Sequence, residues 1–188
     1  MTILTREQHC LVAGLDVETF KSMKKRGQIP KFDEMQTSEG QRGHEPSATL
    51  LLMMALEFHH ACGLPRDLAA QVAWSCTILP AHLHRSPWPA VARTSLRIVR
   101  GETVNDPIMC GLIDRGVGVD ARDHDRKFAL TLGDDNRVIR FHGVLKDVVK
   151  RGPIRRLILV NLSEIVARMR IAADEHAIDL ESFWEEGW

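Results

Sequence analysis

The sequence predicts an α+β protein, mainly α, with about four short helices at the amino end and a small mixed α+β region after them. Three features point this way. Capping residues and glycine stops recur through the first 76 residues. Pro80, Pro87 and Pro89 crowd one ten-residue stretch. Beyond it, apolar and polar residues alternate with the period of strands. The predicted division is residues 1–79 and residues 90–188, with the proline-rich stretch between them.

Thr5-Arg6-Glu7-Gln8 is a capping box, and the helix it opens carries Cys10, Leu11 and Val12 before stopping at Gly14. Asp16 caps a second helix, with Val17, Phe20 and Met23 on one face and Lys21, Lys24 and Lys25 elsewhere. Gly27 supplies a left-handed exit and Pro30 prevents the helix from resuming. Residues 31–44 are polar and suit a short hairpin or loop. Pro46 opens a third helix that is apolar nearly all round through His60, which marks it as central to the core. After Gly63, Pro65 starts a fourth, with Leu68, Ala69, Val72, Ala73 and Cys76 inward. Further on, residues 127–132 and 137–141 alternate about Gly133-Asp134-Asp135-Asn136 and predict a hairpin. Residues 154–160 read as a strand, and Ser163 as the cap of a helix ending near His176. Residues 101–126 receive no assignment.

Lys plus Arg equals Asp plus Glu, at 25 each in 188 residues, which excludes a uniformly basic histone-like chain and a charged disordered one. The charge is nevertheless uneven. Residues 20–32 hold five basic residues and no acidic one, whereas residues 174–188 hold six acidic residues and no Lys or Arg. A second basic stretch, residues 146–156, is read as another DNA contact, a docking surface, or a counterpart of the acidic tail. The four cysteines share no short spacing, which fits a reducing compartment. The amino end lacks a signal-peptide pattern, and the longest apolar run is too short for a bilayer. A cytoplasmic protein without a membrane segment is expected.

Two short helices joined by a tight turn, the second bearing cations, suit the major groove of duplex DNA. The residues from Val12 to Pro30 resemble the N-terminal domain of MerR-type regulators, a winged helix-turn-helix family. The resemblance rests on Gly14 at the turn, on Thr19-Phe20-Lys21, and on Gly27-Gln28-Ile29-Pro30. It continues through Gly40-Gln41-Arg42-Gly43-His44, where the family has its wing, and Cys62-Gly63-Leu64-Pro65-Arg66, between its third and fourth helices. It covers about the first 76 residues. His44 stands near the place where the family carries a Tyr, and this chain has no Tyr. The prolines interrupt the region of the family's long dimer helix, so its metal sensing and promoter untwisting are not carried over.

The resemblance implies a sequence-specific regulator of transcription that binds double-stranded DNA as a homodimer. Thr19 and Ser22 are the candidate groove-facing residues, Lys21 (at the family's basic position), Lys24, Lys25 and Arg26 the candidate phosphate contacts, and Arg42 and His44 the wing contacts. The plainer reading of these cations is a solvated helix face. Two alternatives stand beside regulation: an excisionase-like architectural factor of a phage or mobile element, and a protein-interaction module that kept the winged fold without DNA. No catalytic constellation, cofactor motif or effector site is apparent, so no enzyme is expected. His59-His60 and His82-Leu83-His84 are read as ordinary histidines rather than metal ligands: the first two diverge by about 100° on a helix, and the second two would need further ligands that only the scattered Cys76 and Cys110 offer.

Overall fold

Thr5 and Gln8 cap each other as the sequence requires: the Gln8 amide donates to Thr5 Oγ1 at 3.2 Å, and the Thr5 amide to Gln8 Oε1 at 2.9 Å. The helix they open, α1 (Arg6–Val12), leads through a turn at Gly14 into α2 (Val17–Lys25). Gly14 adopts φ +69° and Gly27 φ +65°, the left-handed region that glycine enters without a Cβ clash. The structure, a computed structural model, describes residues 2–37, 40, 42–78, 88–105, 107–114, 127–132 and 156–186. Its fold is α+β and mainly helical, with seven helices and two small antiparallel sheets among the described residues.

The first sheet joins β1 (Leu4–Thr5), β2 (Met35–Gln36) and β3 (Arg42–His44) in the order β1-β3-β2. Leu4 pairs with His44 and Met35 with Gly43, so the hairpin β2–β3 is pinned to the chain just ahead of α1. Residues 31–44 thus contain the expected hairpin; β1 is an addition, since two residues are too few to show a period. Next come α3 (Pro46–His60) and α4 (Arg66–Ile78). In α3, Leu50, Leu52, Met54 and Phe58 are all fully enclosed. Each such side chain contributes about 1.5–3 kcal/mol by leaving water.

Past the proline-rich stretch, α5 (Trp88–Val99) precedes β4 (Ile108–Asp114), β5 (Lys127–Leu132) and β6 (Arg156–Asn161), followed by α6 (Leu162–Glu175) and α7 (Glu181–Glu186). The second sheet has the order β5-β4-β6 and is antiparallel, with β4 in the centre. The central strand comes from the stretch that sequence left unassigned. At Gly111 in β4 an added Cβ would lie 1.8 Å from the Ile158 carbonyl oxygen, so the strands close up only over glycine. The expected partner of β5, residues 137–141, lies outside the described residues, as does the basic stretch 146–155.

Two boundaries are corrected. The last strand, described over Arg156–Asn161, runs one residue past the expected end at 160, and Asn161, not Ser163, caps the following helix by accepting the Glu164 amide at 3.1 Å. Ser163 is instead buried, and its hydroxyl accepts the Ile108 amide at 2.9 Å, tying helix to sheet. Part of the acidic tail forms α7, whose Phe183 lies 4.9 Å from the Trp88 ring, while the Arg170 guanidinium sits 4.0 Å over Trp184. Helix α3 packs on α4 and on α6, α5 packs along α6, and α4 rests on the second sheet. One hydrophobic core therefore runs from Leu4 to Phe183, continuous on both sides of the prolines.

Candidate nucleic-acid interface

Helix α2 divides cleanly into two faces. Phe20 and Met23 are buried, whereas Lys21, Ser22, Lys24, Lys25 and Arg26 are exposed. Asp16 caps the helix, accepting the Thr19 amide on Oδ1 at 2.7 Å and the Thr19 hydroxyl on Oδ2 at 2.6 Å. These hydrogen bonds hold the Asp16 carboxyl below its usual range. Thr19 is thus half-buried and its hydroxyl is committed to the cap, which limits the groove-facing role expected of it.

Beneath α2 lies a ring cluster that fixes its position against the hairpin. His9 from α1 meets Phe20 at 5.1 Å and His44 of β3 at 4.4 Å between ring centroids, and Phe32 closes on His44 at 5.0 Å. His9 Nδ1 and Thr49 Oγ1 are 2.8 Å apart, joining the cluster to α3. Burial, with help from His44 and Lys24, pushes the His9 imidazole down to about 3. Burial likewise lowers His44, against the opposing pull of Glu34. His44 is fully enclosed and cannot touch DNA. Its expected wing contact is therefore corrected: Arg42 and His44, two positions apart in β3, share one face of the strand, but His9, Phe20 and Phe32 cover His44 while Arg42 stays exposed.

The cations do not all stand alone, as the acid-free run 20–32 implied. Lys21 Nζ pairs with Glu18 at 2.7 Å within the helix. Glu34, just past the end of that run, folds back to take Lys24 at 2.6 Å, Arg6 at 3.1 Å and Arg42 at 3.4 Å. The hydrogen bond from Lys24, then that from Arg6, holds the Glu34 carboxyl down to about 2 despite its partial burial. Neither Glu34 nor Arg6 was singled out from sequence, because only the tertiary fold brings positions 6, 24, 34 and 42 together. Lys25, Arg26 and Lys31 are exposed and form no ion pair among the described residues. Arg42 remains 74% exposed despite its contact with Glu34.

A cleft of about 730 Å³ opens beside the end of α2, lined by Lys24, Ile29, Pro30, Phe32, Leu51 and Trp74 among others. Away from it, His59 Nδ1 is 2.7 Å from the Leu64 carbonyl oxygen and its Nε2 accepts from Arg66 at 3.3 Å, so that ring serves the α3–α4 turn. His82 and His84 lie outside the described residues. Among the described residues no group of His, Cys, Asp and Glu side chains is gathered as a metal site requires. Nor is any helix there long and apolar enough to cross a membrane. Comparison with protein-family models found no match, and comparison with characterised proteins found none either.

Proposed function

We propose that the chain is a winged helix-turn-helix protein that binds duplex DNA sequence-specifically in the cytoplasm to regulate transcription. Helix α2 is the recognition element and the hairpin β2–β3 is the wing. The observation carrying this reading is the two-faced α2: Phe20 and Met23 anchor it while Lys21, Lys24, Lys25 and Arg26 face solvent beside the exposed Arg42. Exposed ion pairs such as Lys21–Glu18 are worth only about 0–1 kcal/mol, so phosphates can compete for these cations. Lys25, Arg26 and Arg42 serve as phosphate contacts and Ser22 and Lys21 face the groove. One short helix buries too little surface for tight specific binding, so the protein acts as a homodimer on repeated half-sites.

The Glu34 contacts of Lys24 and Arg42 are the observation that favours a different reading, a winged module that meets proteins instead of DNA. Duplexes selected from a random library by the full chain, followed by anisotropy titrations, separate the two. The regulator reading expects affinity to fall steeply with salt, and Lys25→Ala/Arg26→Ala/Arg42→Ala to flatten that slope by about two to three. Salt-independent binding, or a triple variant with the wild-type slope, refutes it. Chromatin precipitation of the tagged protein then distinguishes promoter sites from the attachment sites of an excisionase-like factor.

A further inference from the structure

Glu34 occupies an unusual place. Its side chain is 17% exposed, while the two cations above it, Lys24 and Arg42, are 44% and 74% exposed. The carboxylate thus lies beneath the cations and between three elements: Arg6 on α1, Lys24 on α2 and Arg42 on β3. Oε1 takes Arg6 and Lys24, and Oε2 takes Arg42. An anion approaching from solvent meets Lys24 and Arg42 first, each with one N–H group already held by Glu34.

Resting on the DNA reading above, we propose that Glu34 is a positioning residue that sets the specificity of the interface. It fixes Lys24 of the recognition helix and Arg42 of the wing at a set separation. That spares much of the ordering cost which long, flexible cations otherwise incur on binding. It also places a negative charge under the interface, which weakens attraction to any duplex regardless of sequence. The two effects act in opposite directions on unspecific affinity and on discrimination, and a merely structural tie between wing and helix would not do so.

The test titrates the full chain against its best library-selected duplex and against an unselected mixed-sequence duplex, using wild type, Glu34→Gln, Glu34→Asp and Asp33→Asn. Asp33 is the exposed neighbouring carboxylate, with no ion pair among the described residues, and reports the effect of charge alone. Glu34→Gln is expected to bind the unselected duplex about two- to fourfold tighter. Its preference for the selected duplex should fall about tenfold, since two side chains lose their ordering. Glu34→Asp retains the charge but is too short to span all three cations, so its preference falls without tighter unspecific binding. Asp33→Asn tightens both duplexes alike and leaves the preference intact. The preference of Glu34→Gln or Glu34→Asp staying within twofold of wild type overturns the proposal. So does a Glu34→Gln protein that weakens on both duplexes in parallel. Should Glu34→Gln not fold, Glu34→Asp decides alone. A wild-type chain that binds neither duplex at low salt fails the DNA reading itself, which the wild-type titration reveals before any variant is made.

Discussion

Protonating His9 should unlock the amino-terminal half of the fold. The ring is fully buried between Phe20, Phe32 and His44, held at Thr49, with Lys24 close enough to oppose a second positive charge. Its folded value of about 3 lies below the ordinary 6.5. The unfolded chain therefore binds the proton more readily, and stability is full above about pH 6.5 and declines as pH falls through the window towards 3. Linkage over that shift gives a loss of about 2.5 kcal/mol between pH 7.5 and pH 4.5 from this residue alone, with His44 adding to it in the same direction. Glu34, held at about 2 against an ordinary 4.5, begins to lose its contribution only below that range. Urea unfolding followed by circular dichroism at pH 7.5, 6.0 and 4.5 measures the effect. His9→Asn, which keeps an amide nitrogen near Thr49, should be less stable at pH 7.5 but markedly less pH-sensitive. A wild-type midpoint that is flat from pH 7.5 to 4.5 would refute the buried neutral imidazole.

Three further outcomes are expected. Phe20→Ala should cost about 3–5 kcal/mol in the same unfolding assay, because the ring is fully enclosed and anchors α2. Gly111→Ala should lower the melting temperature by more than Phe20→Ala does, since its Cβ meets backbone rather than a movable side chain; scanning calorimetry of the two variants decides. Cys10, pushed up to about 11 by burial, and the enclosed Cys110 should resist Ellman's reagent at pH 7.5 in the folded chain and react once urea is added. Rapid labelling of all four thiols without denaturant would contradict their placement.

The amino-terminal elements were legible because their signals are local. The Thr5–Gln8 box, the Asp16 cap, Gly27 and Pro46 each act within a few residues, and the helices begin and end where those residues stand. The second sheet was harder to read. Its central strand, Ile-Met-Cys-Gly-Leu-Ile-Asp, carries no polar residue before its final Asp, so no apolar–polar alternation betrays it. Ser163 looked like a cap because serine commonly serves as one; its hydroxyl was taken by the Ile108 amide, 55 residues away in sequence. The cationic face of α2 was visible from spacing alone. What surrounds it was not, because Glu34 acts through space, and because only the packing of His9, Phe20 and Phe32 covers His44 while leaving Arg42, on the same strand face, exposed.

The sharing of one interior by α3 and α6 has a practical and an evolutionary consequence. Shortening the polypeptide after α4 would uncover the flank of α3 on which α6 lies, leaving a sticky remnant in place of a portable reader head. Two halves that share an interior are expected to melt as a single cooperative unit, so exchanging either between proteins would require recutting the seam where they meet.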